Sequence, residues 1–218
     1  MNATPEARGC PPPRLLLASA NPHKRKELAR LLRGCELLSP PELGLGFEGQ
    51  EQGRDFRDNA LAKALALLAL LRSRGGSNGV LGVLADDSGL CVDALEGRPG
   101  VRSNRYGSNG GSLLEPRAKI ELLLEELRGT SERSARFVCA LAFVLTPERF
   151  FLVQETMEGS IAERAAGEGG FGYDPVFVVP GKGCTVAQLT DAQKDALSHR
   201  GRAARRMQAI IASLAAEP

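Results

Sequence analysis

The fold is decided by one stretch in the first half of the chain, Val80-Leu81-Gly82-Val83-Leu84-Ala85-Asp86-Asp87-Ser88-Gly89. Residues 80–85 are almost entirely apolar, and a short apolar run of this kind predicts a buried strand. The four residues that follow predict a turn, because Asp, Ser and Gly are common turn residues. The sequence therefore places two adjacent carboxylates at the carboxyl end of a buried strand, where open α/β sheets gather their ligands.

Two neighbouring carboxylates repel each other unless a cation or a proton lies between them. Asp86 and Asp87 therefore predict a metal site. Their oxygen ligands suit Mg²⁺, which usually takes one or two carboxylates together with phosphate oxygens of a substrate. The alternative is an acidic turn that faces water.

Apolar runs and helical stretches alternate on both sides of this strand. Further strands are predicted over residues 14–19, 136–145, 150–157 and 176–179. Helices are predicted over residues 21–33, 55–74, 112–128 and 189–214, the last interrupted near Ser198. This alternation predicts a single α/β domain over residues 14–218. Residues 1–13, with three consecutive prolines, are predicted to be a disordered tail.

The composition is that of an ordinary globular protein, with 43% hydrophobic and 25% charged residues among 218. A formal net charge of +2 is too small to hold a nucleic acid polymer along one face. The five cysteines are widely spaced and odd in number, which favours reduced thiols in a cytoplasmic protein over a disulfide framework. No apolar run is long enough to cross a membrane, so no membrane partner is expected.

The segment Ser19-Ala20-Asn21-Pro22-His23-Lys24 joins the first predicted strand to the first predicted helix. Backbone N–H groups at the start of a helix lack partners and form a natural anion site. Lys24 adds a point charge suited to phosphate. The alternative is structural: Asn21 caps the helix and Lys24 lies on its solvated face.

A second loop, Gly169-Gly170-Phe171-Gly172-Tyr173-Asp174-Pro175, sets two aromatic residues among glycines. Glycines let the backbone approach a ligand closely, and an aromatic ring can stack on a nucleobase. The alternative is a Gly/Pro turn whose aromatic side chains cover the edge of the core.

Positive charge gathers near the interruption of the last helix, at Lys194, His199 and Arg200. Arginine can grip a phosphate with two hydrogen bonds or donate to the edge of a base. Ser198 can cap the helix that follows. Glu51, in a glycine-flanked loop, carries little functional signal of its own.

Together these motifs resemble one family, the Ham1-like inosine/xanthosine triphosphate pyrophosphatases. The resemblance is carried by five ordered motifs: Ser19-x-Asn21-x-x-Lys24-x-x-Glu27, Phe56-x-x-Asn59-Ala60-x-x-Lys63-Ala64, Ala85-Asp86-Asp87-Ser88-Gly89-Leu90, Gly170-Phe171-Gly172-Tyr173-Asp174-Pro175 and Ser198-His199-Arg200-Gly201. They run from about Arg14 to the C-terminus, and their order makes the match specific.

The resemblance implies an elongated mixed sheet flanked by helices, with two lobes, a central cleft and usually a homodimer. It implies a Mg²⁺-dependent hydrolase that converts ITP, dITP and XTP to the monophosphate and pyrophosphate, and so clears deaminated purines from the nucleotide pool.

Roles follow where residues match the family motifs. Asp87 would activate the attacking water and, with Glu51, hold the metal. Ser19, Asn21 and Lys24 would hold the triphosphate, Ser88 would contact the substrate, and Phe171 would stack on the base. The residues expected to line the base and phosphate pocket are Asp174, Lys194, His199 and Arg200. Ala20, Pro22, His23, Gly172 and Tyr173 complete the predicted substrate-binding set.

One departure concerns the metal. The loop reads Gln50-Glu51-Gln52-Gly53, where the family often has two glutamates and a threonine before the glycine. The metal role of Glu51 is therefore less secure than that of Asp87. Two rivals remain open: a Maf-like pyrophosphatase acting on other bases, and a nucleotide-binding regulatory module without turnover.

Overall fold

The computed structural model describes residues 11–49, 53–76, 79–108 and 112–216. Its strands are β1 (Arg14–Leu17), β2 (Glu36–Leu38), β3 (Val80–Val92), β4 (Ser134–Thr146), β5 (Arg149–Ile161) and β6 (Phe177–Val178). They form one sheet in the order β2-β1-β3-β4-β5-β6. β1 is parallel to β2 and β3, whereas all later pairs are antiparallel. The predicted mixed sheet is therefore confirmed.

The helices are α1 (Pro22–Leu31), α2 (Phe56–Ser73), α3 (Pro116–Glu126), α4 (Asp191–Leu197) and α5 (His199–Ala215). Local signals set their starts. Asn21 and Asp55 cap α1 and α2, and Pro116 occupies the first position of α3, where its missing N–H costs nothing. Ser198 separates α4 from α5 and accepts a hydrogen bond from the Gly201 N–H at 3.0 Å.

The predicted turn after residue 85 is wrong, because β3 continues without interruption to Val92. Asp86 and Asp87 pair with Leu141 and Ala140 of β4 as ordinary strand residues. Adjacent side chains on a strand project to opposite faces of the sheet, so the two carboxylates do not have to share a site. Each carboxylate is paired with different cations, so the repulsion between the two carboxylates that a turn would cause does not arise.

Three apolar clusters position the cleft. α2 covers one face of the sheet, and α1 with α5 covers the other. The third cluster lies where the far end of β3 and the start of β4 meet α3, Tyr173 and Phe177. One lobe contains the first two clusters with α1, α2 and α5, and the other contains the third cluster with α3. β3 and β4 run through both lobes and join them. The cleft has a volume of about 710 Å³, and residues of both lobes line it.

A 3-10 helix, Gly100–Arg105, packs directly on β3 beside the cleft. The Ser103 hydroxyl accepts a hydrogen bond from the Leu90 N–H at 2.8 Å. A Cβ atom at Gly89 would overlap Ser103 Oγ and the Gly100 carbonyl, so only glycine permits this approach.

In the part of the chain described, no helix is long and apolar enough to cross a membrane. Cys35, Cys91, Cys139 and Cys184 are free thiols. Cys10, Glu51 and most of the predicted tail lie outside the described residues.

Candidate active site

Asp87 lies at the cleft on the face of the sheet that α2 covers, and it is 3% exposed. Lys63 Nζ lies 2.8 Å from Asp87 Oδ1, and the Asn59 side-chain amide donates to Asp87 Oδ2 at 3.1 Å. Lys63 Nζ also donates to the Asp86 carbonyl at 2.8 Å. Asn59 and Lys63 are four residues apart, so they lie on one face of α2. Two donors on one rigid helix therefore fix the orientation of this carboxylate.

Asp86 is fully buried on the opposite face of β3. Lys24 Nζ lies 2.6 Å from its Oδ1, and Arg200 Nε lies 2.8 Å from its Oδ2. Burial alone would raise the pKa of Asp86, but Arg200 and Lys24 hold it well below its usual value. The Ser88 hydroxyl donates to Oδ1 at 2.8 Å and the Cys139 thiol to Oδ2 at 3.4 Å. Asp86 is thus an anchor for cations and not a free base.

The charge network continues across the floor of the cleft through Glu27 of α1. Glu27 Oε1 lies 2.6 Å from Lys194 Nζ, and its Oε2 lies 2.7 Å from Arg200 NH1. Burial opposes ionisation, but Arg200 and Lys194 lower the pKa of Glu27. Lys194 Nζ also lies 2.6 Å from Asp174 Oδ2. Among the described residues, four buried carboxylates thus pair with four cations at the floor of the cleft: Glu27, Asp86, Asp87 and Asp174 with Lys24, Lys63, Lys194 and Arg200.

Arg200 contacts three side chains of the cleft at once. Besides its bonds to Asp86 and Glu27, its NH2 donates to the Ser88 hydroxyl at 2.6 Å. A guanidinium has five N–H groups, so two remain beyond these three bonds. Arg200 is 2% exposed, and its first task in the structure is to hold the floor of the cleft together.

Asp174 orders the glycine-rich loop. Its Oδ2 accepts a hydrogen bond from the Phe171 N–H at 2.7 Å. A Cβ at Gly170 would overlap this carboxylate, and Gly170 also has a positive φ of 70°. Burial dominates over the nearby Lys194 and raises the pKa of Asp174.

The Phe171 ring lies at the cleft, as the sequence suggests, but it does not stand alone there. The His23 imidazole stacks on it with centroids 5.1 Å apart and planes 13° apart. Lys194 Nζ and Arg200 Cζ lie 4.9 and 5.5 Å from the ring centroid. A base that stacks on the face covered by His23 has to displace that imidazole. Tyr173 also lines the cleft, and its hydroxyl donates to the Ser103 carbonyl at 3.0 Å.

His199, at the first position of α5, is buried and stacks on Phe137 with centroids 4.8 Å apart. Burial, assisted by Arg200, holds the pKa of His199 well below its usual value, so the imidazole is neutral. Its Nδ1 is buried and has no hydrogen-bond partner among the residues that the structure describes. This unsatisfied nitrogen lies in a residue that lines the cleft.

The segment from Ser19 to Lys24 shows the structural features expected of a capped helix start. Asn21 Oδ1 accepts from the N–H groups of His23 and Lys24 at 2.9 and 3.2 Å. The Asn21 N–H in turn donates to Ser19 Oγ at 3.2 Å. The alternative of Asn21 as a cap is therefore confirmed, whereas Lys24 turns into the cleft and not to solvent.

Most of the predicted site comes together around this single cleft. Its lining includes Ser19, Ala20, Asn21, His23, Lys24, Asp87, Ser88, Phe171, Gly172, Tyr173, Asp174, Lys194, His199 and Arg200. Pro22, the remaining member of the predicted substrate-binding set, begins α1 and is exposed.

Three residues at the site carried no assigned role in the sequence prediction: Glu27, Asn59 and Lys63. Each is a buried polar residue. The signal was present for Asn59 and Lys63, because their four-residue spacing within an Ala- and Leu-rich helix marks one inward-facing pair.

Asp87 fits the chemistry of a Mg²⁺ ligand. Its carboxylate is an oxygen ligand at the wall of the cleft, and Lys63 and Asn59 fix its orientation. Mg²⁺ sites commonly need only one or two carboxylates besides phosphate oxygens. Within the described residues no three His, Cys, Asp or Glu side chains converge. The second predicted ligand, Glu51, lies outside those residues.

Comparison with known proteins agrees with this geometry. The sequence model of the Ham1 family matches residues 15–210. A dITP/XTP pyrophosphatase of Treponema denticola is 46% identical over 190 residues, covering 87% of this chain and 94% of that protein. One from Bacillus subtilis is 40% identical, with 90% and 96% covered. The chain belongs to the Ham1 family.

Solved structures give the same result. The Ham1 protein of Staphylococcus aureus superposes with a TM-score of 0.76 at 35% identity, covering 92% of this chain and 98% of that one. A HAM1 protein from Coxiella burnetii gives 0.77 at 34% identity, with 92% and 99% covered. The two-lobed mixed α/β fold is therefore shared along nearly the whole length.

Proposed function

We propose that this protein is a nucleoside triphosphate pyrophosphohydrolase that converts deaminated purine nucleotides, namely ITP, dITP and XTP, to the monophosphate and pyrophosphate. One observation carries the proposal: a fixed carboxylate, Asp87, shares its cleft with a helix start, a row of cations and an aromatic ring. The activity is the one that its Treponema and Bacillus relatives are named for.

Asp87 is the general base in this scheme. Lys63 and Asn59 hold its two oxygens, and a water beside the carboxylate gives up a proton as it attacks the α-phosphorus. Pyrophosphate is the leaving group. The cations of the cleft are held in place by their carboxylate partners. Their N–H groups are therefore preorganised to stabilise the charge that develops on the phosphate oxygens.

Mg²⁺, held by Asp87 and Glu51, would neutralise charge on the phosphate oxygens and align them. The phosphates would lie near Lys24 and the start of α1. Lys24 Nζ has three N–H groups, and its contacts with Asp86 leave it a donor for phosphate.

Selectivity for the base rests on hydrogen bonding near Phe171. Inosine and xanthosine carry an oxygen at C6, where adenosine carries an amino group that can only donate. The remaining N–H groups of Arg200, and the ammonium of Lys194, would face that position. The amino group of adenine would face these N–H donors in a buried pocket. Because neither group could accept a hydrogen bond, ATP would be strongly disfavoured as a substrate.

A homodimer belongs to the same proposal. Phe150 and Leu152 lie on one face of β5 and are 41% and 38% exposed. Large apolar side chains clustered at a surface mark contact sites between proteins. Light scattering of the purified protein tests this, and a monomer at micromolar concentration contradicts it. We also place the protein in the cytoplasm, with the nucleotide pool it would cleanse.

The decisive experiment is a pyrophosphate-release assay with ITP, dITP, XTP, GTP and ATP, with Mg²⁺ and with excess chelator. We expect turnover of the first three, at least about 100-fold weaker turnover of ATP, and loss of all turnover with chelator. Tight ITP binding without turnover would instead favour the regulatory module. A preference for other bases would favour a Maf-like activity.

A further inference from the structure

Lys119 of α3 reaches the cleft from the lobe opposite α1 and α2, and it is 8% exposed. Its Nζ donates to the backbone carbonyl of Asn104 at 2.5 Å. Asn104 belongs to the 3-10 helix Gly100–Arg105, which packs on β3 at Gly89 and Leu90. The ammonium group of Lys119 is thus held by a segment that packs on β3, the strand that carries Asp87.

The charge of Lys119 distinguishes it from its neighbours. Lys24, Lys63, Lys194 and Arg200 are each within 2.8 Å of a buried carboxylate. Lys119 has no carboxylate within ion-pair distance among the described residues, and its partner is an uncharged carbonyl.

Burial of an unpaired ammonium is costly, and burial lowers the pKa of Lys119, while the more distant Glu115 opposes this effect. The hydrogen bond to Asn104 uses one of three N–H groups, so two remain. Lys119 thus offers two N–H donors in a cleft where Lys24, Lys63, Lys194 and Arg200 are paired with carboxylates, and this arrangement suits an anion that arrives from outside.

We propose that Lys119 is a further substrate-positioning residue that donates to a phosphate oxygen of the bound nucleotide from the lobe opposite Lys24. The two lysines then hold the phosphate chain from both sides of the cleft. This inference rests on the proposed function, since it takes a nucleoside triphosphate as the ligand.

Two substitutions test the charge of Lys119 separately from its hydrogen bond to Asn104. Lys119→Gln removes the charge but keeps a donor for Asn104, and Lys119→Arg keeps the charge. Arg117→Gln is the matched control, because Arg117 lies two residues away on α3 with its side chain 90% exposed. In the Mg²⁺ assay with ITP we expect Lys119→Gln to raise KM about 10-fold, the scale of one charge-assisted hydrogen bond. The kcat should stay within about threefold, and Lys119→Arg should recover most of the loss.

Two inhibitors separate phosphate binding from folding of the lobe. Inorganic tripolyphosphate carries the anion without a base, and inosine carries the base without a phosphate. We expect Lys119→Gln to weaken inhibition by tripolyphosphate about 10-fold. The inhibition should also depend less on salt concentration, because the variant lacks one of the charges whose attraction for the anion salt would screen. Inhibition by inosine should not change.

Equal tripolyphosphate inhibition in Lys119→Gln and Arg117→Gln would overturn the inference, and so would parallel weakening of inosine, which marks a purely structural role. Failure of the proposed function gives a different result. In that case the unsubstituted protein itself releases no pyrophosphate from ITP, while tripolyphosphate binding can still be compared by calorimetry.

Discussion

Asp86 and Asp87 are neighbours in sequence but project to opposite faces of β3, where different cations hold them. Arg200 lies 2.8 Å from Asp86 and Lys63 lies 2.8 Å from Asp87. The first carboxylate is fully buried among donors, whereas the second lines the cleft. Two identical side chains therefore have separate tasks: Asp86 supports the site and Asp87 is the candidate for the chemistry.

Asp87→Asn is expected to reduce turnover of ITP by at least about 100-fold, because the amide keeps the shape but cannot take a proton from water. Pyrophosphate release at saturating substrate measures this. Asp93→Asn is the control, since Asp93 lies in an exposed ion pair with Arg136. Turnover of Asp87→Asn within threefold of the control would exclude Asp87 as the base.

Asp86→Asn is expected to act on stability. It leaves Arg200 and Lys24 buried beside an uncharged amide, and loss of one partner from a buried ion pair costs about 3–5 kcal/mol. Urea unfolding measures the change. In a double-mutant cycle with Arg200→Met, the combined loss should be smaller than the sum of the two single losses, because both partners of this ion pair are then removed together. Two additive losses would show that the pair does not interact.

Stability should fall as the pH drops below about 6.5, and His199 should cause part of this fall. Its pKa is lowered in the folded protein, so below the unfolded value of 6.5 only the unfolded chain takes up the proton. The slope from one such group is at most about 1.4 kcal/mol per pH unit.

Urea midpoints of His199→Gln and the unsubstituted protein, compared from pH 7.5 to 4.5, test this. The difference between them should shrink as the pH falls, because the variant lacks the group that titrates. Asp86 and Asp174 titrate in both proteins and cancel. The exposed His23, changed to Gln, is the control, and parallel curves for His199→Gln and the unsubstituted protein would refute the assignment.

Phe171→Ala is expected to raise KM for ITP about 10-fold, since stacking of a base on an aromatic ring contributes about 1–3 kcal/mol. Inhibition by inorganic tripolyphosphate should stay the same, because that anion has no base to stack. Phe151→Ala, at a half-buried ring on β5 that does not line the cleft, serves as the comparison. An unchanged KM would mean that His23 and not a base is the lasting partner of this ring.

Local signals predicted much of the fold. Asn21, Asp55 and Ser198 cap the helices that the sequence placed there, because capping depends on contacts within one turn. The predicted end of β3 at residue 85 was wrong, because the length of this strand depends on contacts distant in sequence. Asp86-Asp87-Ser88-Gly89 has the composition of a turn, but it pairs with β4 as a strand, and Lys63 and Arg200, distant in sequence, neutralise its charges.

The site was predictable to the extent that family motifs name its residues. The partnerships were not, because pairings such as Glu27 with Lys194 join α1 to α4 across most of the chain. Nor could the sequence show that His23 covers the Phe171 ring, since stacking depends on how the two loops meet.

The matched charges on the floor of the cleft also constrain how this protein can evolve. A lineage that replaces Glu27 alone leaves Lys194 and Arg200 each with one carboxylate fewer, and one that replaces Arg200 alone leaves Asp86 held by Lys24. Because each single step passes through a destabilised ancestor, substitutions here should arise together in compensated sets. A change of preferred base would then come as a rare jump between sequences and not as gradual drift.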